Sequence, residues 1–376
     1  MRKKIVFLTG TRADFGKLKS LMHICHNDSS LEVFIFATGM HLNSKYGYTV
    51  QEIIKENFTN IFQFINHDDI NHMDKVLART IDGFSQYIKE IKPDMIIVHG
   101  DRLEALAGAI VGAFNNILVS HIEGGEISGT IDESIRHAIS KLCHLHFVAN
   151  EKAKDRLSQM GENSNNIFII GSPDLDIILN NSIKIDDVKK YYDIEFDKFA
   201  ISIFHPVTTE FNLIEKQCVD YCKALVDSNK NYIVIYPNND YGSDIILNNI
   251  NKYFNNRRFK IFPSLRFEYF SILLKNAEFI IGNSSTGVRE ALYYPIKTIN
   301  VGSRQSGRTI DTSIINIDIT YEKILQTINN IETFNIQSKI IDPQYGTGNS
   351  GKLFLNIIKN NNIWDTNIQK YFYKVT

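Results

Sequence analysis

The sequence predicts an α/β protein built from two successive Rossmann-like domains. Short runs rich in Ile, Val and Phe alternate with helix-length amphipathic segments, and these runs are apolar throughout, which is typical of a parallel sheet covered on both faces. The alternation pauses in a polar stretch around residues 172–195 and then restarts. A chain of 376 residues also has the length of two domains. Ligands of such folds bind at the carboxyl ends of the strands, so we expect the active site in the cleft between the domains.

The pattern places seven strands in the first half, with helices between most of them, for example at 73–91 and 102–115. The expected strands of the first half are 4–9, 32–38, 60–65, 95–100, 117–122, 145–149 and 167–171. The expected strands of the second half are 199–206, 231–238, 259–264, 278–285 and 296–303.

Composition narrows the class of function. A formal net charge of −1 gives no electrostatic reason to expect nucleic acid or an anionic membrane as a partner. No apolar run approaches the ~20 residues that a membrane span needs, and "MRKKIVFLTG" is interpreted as a first strand, not a signal peptide. The four cysteines suit free thiols of an intracellular enzyme better than a disulfide framework. Cys218 and Cys222, four residues apart, form either a metal pair or, as we favour, ordinary helix packing.

The first strand ends in "TGTRADFGKLKS". Gly10 permits a tight turn, and Arg12 and Lys17 place positive charge beside a helix N-terminus, which suits a phosphate or diphosphate group. The G-x-G-x-x-G dinucleotide fingerprint is not completed. The alternative is an ordinary strand-to-helix turn.

Titratable side chains follow two further strands, in "VHGDRLEA" and "HIEGGEISGTIDESIRHAISK". His121 and Glu123 should point the same way by the period of two, and Gly124 and Gly125 permit a sharp turn. Thr130 and Glu133 have capping-box spacing, so we expect a helix from about 131. The side chains expected to converge at one sheet edge are His99, Asp101, His121, Glu123, Asp132 and Arg136. Arg102 is expected in the same turn as Asp101, and His137 is expected to pair with Glu133, four residues earlier. A solvated loop with a capped helix is the alternative. The spacing of the histidines matches no metal motif, and we expect no metal.

The second half carries a matching set of strand-end residues. "IFHPVTTE" places His205 at a strand end, and "IIGNSSTGVREAL" places Ser284 and Ser285 before a helix expected from about Thr286. Backbone amides and hydroxyls at a helix N-terminus suit a diphosphate. Glu290 is expected to reach ribose hydroxyls. "GSRQSGR" adds Arg304 and Arg308 near the same edge.

Taken in order, seven segments resemble the hydrolysing UDP-N-acetylglucosamine 2-epimerases of sialic-acid biosynthesis and their relatives that act on UDP- or GDP-linked N,N′-diacetylbacillosamine. These segments are "GTRADFGKLK", "ATGMHL", "HGDRLEALA", "HIEGGEISGTIDESIRHAISK", "FHPVTTE", "IGNSSTGVREA" and "GSRQSGR". Non-hydrolysing epimerases of the same fold typically read H-G-D-T, H-V-E-A-G and H-R-R-E-N at these places, so the resemblance favours the hydrolysing branch.

The resemblance implies a GT-B-like fold with the active site in the cleft between two Rossmann-like domains. We expect an N-terminal domain over 1–172 with the sugar-side catalytic residues, a nucleotide-binding domain over 173–355, and a C-terminal helix over 356–376 packed on the first domain. The resemblance further implies a cytoplasmic homodimer or homotetramer without cofactor, whose partners are the nucleotide-sugar substrate and the UDP product.

In that family the nucleoside diphosphate leaves as a base removes the C2 proton, which gives a 2-acetamidoglucal to which water adds. The resemblance makes Asp101, Glu123, Asp132 and His205 the expected catalytic residues. The expected substrate-binding residues are Arg12, Lys17, His41, His99, Arg102, His121, Arg136, His137, Asn238, Ser284, Ser285, Glu290 and Arg304. The sequence leaves open which carboxylate removes the C2 proton, which sugar is used, and whether the nucleotide is UDP or GDP. Rival functions are a non-hydrolysing epimerase, a GT-B glycosyltransferase and a nucleotide-sugar sensor.

Overall fold

Two compact units make up the chain. The structure, a computed structural model, describes residues 2–67, 72–128, 130–307, 311–334 and 345–374. The first unit comprises residues 1–126, 132–181 and 343–376, and the second comprises 127–131 and 182–342. The described residues from 345 onward therefore belong to the first unit, whereas we expected the second domain to continue to 355.

The first unit is built on a seven-stranded parallel sheet with the order β3-β2-β1-β4-β5-β6-β7. Its strands are β1 (Lys3–Thr9), β2 (Leu31–Ala37), β3 (Ile61–Gln63), β4 (Met95–His99), β5 (Leu118–Ile122), β6 (Leu145–Val148) and β7 (Ile167–Ile169). The strand order reverses between β1 and β4. Because ligands of doubly wound sheets bind at such a switch point, the carboxyl ends of β1 and β4 are the place to look for a site.

Helices cover both faces of this sheet, and two apolar clusters fill the space between the sheet and the helices. The helices are α1 (Arg12–His26), α2 (Val50–Lys55), α3 (Met73–Ile91), α4 (Leu103–Phe114), α5 (Ile131–Leu142), α6 (Glu151–Gln159), α7 (Asp174–Ile178) and, from the end of the chain, α13 (Ser350–Ile358).

The second unit repeats the same plan with a six-stranded parallel sheet of order β10-β9-β8-β11-β12-β13. Its strands are β8 (Ala200–Ile203), β9 (Tyr232–Ile235), β10 (Phe259–Phe262), β11 (Phe279–Gly282), β12 (Lys297–Val301) and β13 (Ile314–Ile317). Its helices are α8 (Ile185–Tyr191), α9 (Ile214–Asp227), α10 (Ser243–Tyr253), α11 (Phe267–Asn276) and α12 (Tyr321–Asn329). Here the order reverses between β8 and β11, which makes their carboxyl ends the corresponding switch point.

The last helix differs from our expectation. We placed a helix over 356–376, whereas α13 covers Ser350–Ile358 and the described residues beyond it form turns and a single 3-10 turn. Asp176 accepts hydrogen bonds from the backbone N–H groups of Ser350 and Gly351, at 2.8 and 2.7 Å. These are first-turn amides that have no partner within a helix, so Asp176 fixes where α13 begins. A run of three asparagines from 360 then ends it, since Asn is a poor helix former.

Strand β13 was not predicted, although Ile315, Ile317 and Ile319 alternate with Asn316 and Asp318 as a strand with one buried face would. Among the described residues, no helix is long and apolar enough to cross a membrane.

Candidate active site

The turn after β1 is organised by Asp14. Its carboxylate accepts hydrogen bonds from the Thr9 hydroxyl at 2.5 Å and from the backbone N–H groups of Gly10 and Thr11 at 3.0 and 3.1 Å. Thr11 and Asp14 form a reciprocal capping box at the start of α1. The turn is therefore rigid, and it fixes the first residue of the helix, Arg12.

The two cations expected near a diphosphate both lie beside carboxylates. An Arg12 guanidinium nitrogen is 3.3 Å from a carboxylate oxygen of Glu52 on α2. Lys17 Nζ lies 3.6 Å from Glu123 Oε2 and 3.8 Å from Asp174 Oδ2. Both side chains are largely buried, so their positions are fixed before any ligand arrives.

His41, which we expected to contact the substrate, has no exposed surface. Its Nε2 lies 3.0 Å from the Thr9 hydroxyl and its Nδ1 lies 2.8 Å from the Thr49 hydroxyl. Burial lowers the pKa of His41 to about 4, so the ring is neutral at pH 7. The structure thus corrects that expectation: both ring nitrogens are engaged inside the protein, and His41 supports the turn after β1.

A buried carboxylate that we did not predict lies at the switch point. Glu104, in the first turn of α4, is 1% exposed and fits between two glycines. A Cβ at Gly10 would lie 2.8 Å from Glu104 Cδ, and one at Gly39 would lie 2.6 Å from Glu104 Oε1. Arg102 Nε is 3.8 Å from Glu104 Oε2. The glycines after β1 and β2 therefore make room for the carboxylate beside Arg102.

Asp101 and Arg136 form an ion pair at the edge of the same sheet. Arg136 also donates a hydrogen bond to the backbone carbonyl of Glu126, at 3.2 Å, and its side chain is 3% exposed. Helix α5 begins at Ile131, so Asp132 stands in its first turn, one turn before Arg136. Asp132 and Arg136 thus lie on α5 as the spacing predicts. The ion pair of Arg136 with Asp101 connects α5 to the turn after β4.

Glu123 is held on both carboxylate oxygens. Its Oε1 accepts the Ser172 hydroxyl at 2.5 Å, and its Oε2 lies 3.3 Å from His99 Nε2 in addition to the contact with Lys17. The side chain is 5% exposed. Its backbone φ of +64° lies in the left-handed region, which is unusual for a residue with a side chain.

His121 does not share the direction of Glu123. It is fully buried, with Nε2 2.8 Å from the carbonyl of Gly100 and Nδ1 3.0 Å from the Ser140 hydroxyl. Strand β5 ends at Ile122, and the left-handed turn at Glu123 breaks the alternation on which the expectation rested. Burial lowers the pKa of His121 to about 3, so the neutral ring donates to Gly100 and braces the turn before Asp101.

His137 lies further from this buried cluster. Its Nε2 is 3.5 Å from Glu133 Oε1, one turn earlier on α5, and both side chains are about one third exposed. Glu133 lies near the helix start, and its contact with His137 is the pair that the four-residue spacing predicts.

In the second unit, His205 is fixed by two asparagines from neighbouring strand ends. The buried Asn283 side chain accepts from His205 N at 2.6 Å and donates to His205 O at 2.8 Å. The backbone N–H of Asn238 donates to His205 Nδ1 at 3.0 Å. Since Nδ1 accepts a hydrogen bond, the neutral ring carries its proton on Nε2 and can donate from there.

The segment after β11 does not form the helix we expected from Thr286. Ser285–Val288 and Glu290–Tyr293 are two 3-10 turns, separated by Arg289 with a non-helical backbone. The Thr298 hydroxyl donates to the carbonyl of Gly287, at 2.7 Å, which takes that carbonyl out of a helical ladder. Ser284 and Ser285 therefore do not stand at the N-terminus of an α-helix, as we expected, but their hydroxyls and the turn amides lie at the end of β11.

Gly282, at the end of β11, is required by its surroundings. Its φ is +135°, and a Cβ there would lie 1.8 Å from the carbonyl oxygen of Ile203. The close approach joins β8 and β11 at the switch point, directly before the serines. Glu290, expected at a ribose, is 4% exposed.

Arg304 and Gln305 converge on one backbone carbonyl. Both donate to Asn283 O, at 3.3 and 2.8 Å. Asn283 thus links His205 through its side chain and Arg304 through its backbone. Arg308 lies outside the described residues.

Within the described ranges, no group of three or more His, Cys, Asp or Glu side chains is arranged to hold a metal ion. All four cysteines are free and buried, and Cys218 and Cys222 Sγ atoms lie 4.0 Å apart in the core of the second unit.

Sequence reasoning missed four residues of these clusters. Ser172 and Asp174 lie in the polar stretch that we interpreted as a domain boundary. Glu104 and Asn283 lie inside motifs of which only other residues were predicted to be functional. A useful signal was available in "GSPDLD", where polar residues directly follow strand β7 of the same parallel sheet.

Comparison with known proteins identifies the family of the chain. The model of the UDP-N-acetylglucosamine 2-epimerase family matches residues 23–359. The chain belongs to this family. A UDP-N-acetylglucosamine 2-epimerase of Neisseria meningitidis is 46% identical over 374 residues, 98% of each chain. A hydrolysing UDP-N,N′-diacetylbacillosamine 2-epimerase of Legionella pneumophila is 36% identical over 365 residues, 96% of each chain.

A solved structure shares the fold of this 2-epimerase family member. The UDP-N-acetylglucosamine 2-epimerase of Methanocaldococcus jannaschii, in complex with UDP-N-acetylglucosamine and UDP, superimposes with a TM-score of 0.77 at 19% identity and covers 94% of this chain and 99% of its own. The likeness supports a GT-B-like fold of two parallel-sheet domains, as predicted.

Proposed function

We propose that this chain is a hydrolysing 2-epimerase, which converts UDP-N-acetylglucosamine and water into N-acetylmannosamine and UDP. The carboxylate set of the first unit carries the proposal: Asp101 paired with Arg136, Glu123 held by hydrogen bond and charge, and Asp132 in the first turn of α5. Inversion at C2 removes a proton from one face of the sugar and returns one to the other. Acid–base groups on more than one side of the ring are what this chemistry requires.

The proposed reaction has two steps. In the first, a carboxylate takes the C2 proton, the C1–O bond breaks, a C1–C2 double bond forms and UDP leaves. In the second, the oxygen of water adds to C1 and a proton is delivered to the opposite face of C2, which releases the free sugar. Negative charge grows on the departing diphosphate, so donors placed beforehand should lower the barrier.

Those donors are proposed to come chiefly from the second unit. The Nε2–H of His205 is oriented because Nδ1 accepts from Asn238 N, and Ser284, Ser285 and Arg304 stand at the neighbouring strand ends. We propose that Arg12 of the first unit also contacts the nucleotide, with Glu290 and Asn238 near its ribose and base. The first unit then supplies the acid–base groups.

The hydrolysing branch is supported by the "HGDR" and "HIEGG" segments and by the name of the Legionella relative, a hydrolysing 2-epimerase. That name also supports a second candidate, the same reaction on UDP- or GDP-linked N,N′-diacetylbacillosamine. We place the product in sialic-acid-type biosynthesis on the resemblance alone.

An NMR time course of the purified protein with UDP-N-acetylglucosamine in D₂O tests the proposal. We expect release of UDP together with N-acetylmannosamine deuterated at C2. Accumulation of UDP-N-acetylmannosamine would move the protein to the non-hydrolysing branch. If the substrate survives, the same assay with UDP- and GDP-linked diacetylbacillosamine decides between the second candidate and a protein without epimerase activity.

The variant Asp132→Asn tests the role of the carboxylates. Loss of one acid–base group should lower kcat by ~10²–10⁴-fold while the melting temperature stays near that of the parent, since Asp132 is partly exposed at a helix start. Asp155→Asn, an exposed aspartate on α6, is the matched control and should retain full turnover. Equal turnover by both variants would remove Asp132 from the mechanism.

A further inference from the structure

Lys370, close to the carboxyl end of the chain, holds the last turn of α5. Its Nζ donates to three backbone carbonyls there, those of Ser140 at 3.1 Å, Lys141 at 2.9 Å and Cys143. The same ammonium pairs with Glu162 Oε2 at 2.6 Å, and the Glu162 side chain is 2% exposed. A buried carboxylate therefore fixes Lys370, and Lys370 in turn fixes the carbonyls of this turn.

The carbonyl of Ser140 depends on this donor from outside the helix. A carbonyl in an α-helix normally accepts from the N–H group four residues on. Here that group belongs to His144, and it donates at 2.8 Å to the carbonyl of Val119 in β5. Helix α5 ends at Leu142, and the last carbonyls of a helix need external partners. Lys370 thus holds the backbone from which the Ser140 hydroxyl projects.

The Ser140 hydroxyl holds the ring of His121. Ser140 Oγ lies 3.0 Å from Nδ1 of the ring, whose Nε2 lies 2.8 Å from the carbonyl oxygen of Gly100. Because a carbonyl oxygen can only accept, Nε2 carries the proton and Nδ1 accepts from the serine. Neither side chain has any exposed surface, so water does not compete for these bonds.

Helix α5 holds the residues after β4 at two points. Arg136 and Ser140 lie one turn apart on the same face of the helix. Arg136 pairs directly with the Asp101 carboxylate. Ser140 acts through His121 on Gly100, which directly precedes that aspartate. The carbonyl of Gly100 and the N–H of the next residue share one planar peptide, so His121 orients the plane from which Asp101 begins.

We infer that Lys370 is a positioning residue for Asp101, on which it acts through the chain of hydrogen bonds that begins at Ser140. The effect on turnover rests on the proposed function, whereas the hydrogen-bond chain stands without it. Lys370 lies outside the seven segments of the family resemblance, so those segments assign it no role.

Lys370→Met tests the inference, with Lys141→Met as the matched control. Lys141 Nζ also pairs with Glu162, at 2.6 Å, but it donates to the carbonyl of Met160 and not to the end of α5. Lys370→Met should lower kcat roughly tenfold, because an acid–base group that is displaced transfers its proton less readily. KM should stay near that of the parent, since Asp101 is proposed to act in the transition state. Lys141→Met should keep the parent kcat.

A double-mutant cycle separates positioning from a general loss of stability. Ser140→Ala removes the hydroxyl and should lower kcat by a factor similar to that of Lys370→Met. If Lys370 acts through Ser140, the double variant loses no more than either single variant, whereas independent losses would multiply to roughly a hundredfold. Lys370→Arg keeps a cation near the same carbonyls and should recover most of the lost turnover. Losses that multiply would overturn the inference.

The hydrogen-bond chain is measured without substrate, from the Nε2–H signal of His121 in protein labelled with ¹⁵N-histidine and assigned through His121→Gln. Its exchange with water should accelerate in Lys370→Met and in Ser140→Ala but not in Lys141→Met. Faster exchange, together with a parent that turns over no substrate, would uphold the chain and overturn the proposed function. An unchanged signal in folded Lys370→Met, or an unchanged kcat in an active protein, would overturn the inference. Should Lys370→Met fail to fold, Lys370→Gln, which has a shorter and uncharged side chain, replaces it with the same readouts.

Discussion

Glu123 shows how the local backbone can place a carboxylate that a strand alone would misdirect. Its φ of +64° is costly for a side-chain-bearing residue, and such strain concentrates at functional sites. The following turn leaves no alternative: Gly125 has a φ of +74°, and a Cβ there would lie 2.2 Å from the Ala153 carbonyl oxygen. The contacts of Glu123 with Ser172, His99 and Lys17 offset the energetic cost of this backbone conformation.

Buried neutral histidines make stability depend on pH. The pKa of His41 falls from 6.5 to about 4 on folding because the ring is desolvated. Below pH 6.5 the unfolded chain binds a proton that the folded protein refuses, so stability present above pH 6.5 is lost as the pH falls towards 4. His41→Gln should therefore flatten the loss in that window by up to about 1.4 kcal/mol per pH unit.

Urea unfolding at pH 7.5, 6 and 5 measures this slope. His72→Gln is the control, because His72 is exposed at the start of α3 and should leave the slope unchanged. His121 and His144, whose pKa values are also lowered by burial, will keep part of the dependence in both variants. Parallel curves for His41→Gln and the parent would contradict the assignment.

The sequence predicts the position of a site residue correctly where the end of a strand alone decides it. Asp101 and His205 follow strands whose apolar runs are plain in the sequence. Ser172 and Asp174 were not predicted. Their partners Glu123 and Lys17 lie about 50 and 157 residues away in the sequence, and only the order of the strands brings them near. His41 was expected to contact the substrate because it lies in the "ATGMHL" segment of the resemblance. Its burial depends on residues distant in the sequence and could not be predicted from its neighbours along the chain.

Among the elements, the strands were predicted well and the short helical segments poorly. All twelve predicted strands are present, with bounds that differ by a few residues, since an apolar run between turns is a strong signal for a buried strand. The segment 285–293 forms two 3-10 turns instead of the expected helix, and the Thr298 hydroxyl donates to the carbonyl of Gly287 inside it. Tertiary contacts therefore determine the conformation of residues 285–293 more than local helix propensity does.

Helix α5, which bears Asp132 and Arg136, is held at its carboxyl end by a distant lysine. Lys370 Nζ donates to the carbonyls of Ser140, Lys141 and Cys143 and, at 2.6 Å, to Glu162 Oε2. A cation at this end satisfies unpaired carbonyls and opposes the helix dipole.

Lys370→Met should lower the free energy of unfolding by about 1–3 kcal/mol, because three carbonyls lose a donor and Glu162 loses one of its partners. Hydrogen exchange should accelerate over the last turn of α5, and Lys370→Arg should restore part of the protection. The control is Lys374→Met, an exposed lysine four residues further on. Equal exchange in the Lys370 and Lys374 variants would show that the tail is not a cap of α5.

Across the whole molecule, the first unit is completed by the end of the chain. The backbone N–H of Ser172 donates to the carbonyl of Tyr345 at 2.6 Å. A Cβ at Gly346 would lie 2.8 Å from Gly171 Cα, and both glycines have a positive φ, +80° at Gly171 and +107° at Gly346. Phe354 of α13 is fully buried and meets the Phe147 ring edge to face at 4.7 Å. The segment therefore belongs to the core of the first unit and is more than an appended tail.

Phe354→Ala should destabilise the first unit by ~3–5 kcal/mol, the usual cost of a cavity left by a buried phenyl ring. Trp364 is the single tryptophan of the sequence and packs beside the same cluster, with its Nε1–H donating to the carbonyl of Ile358 at 2.9 Å. Its fluorescence during urea unfolding thus reports on this unit directly. Leu353→Ala changes an adjacent side chain that is 43% exposed and should shift the free energy by less than ~0.5 kcal/mol. If both variants unfold at the urea concentration of the parent, α13 contributes nothing to the core, and the early return of the chain to the first unit has no energetic consequence.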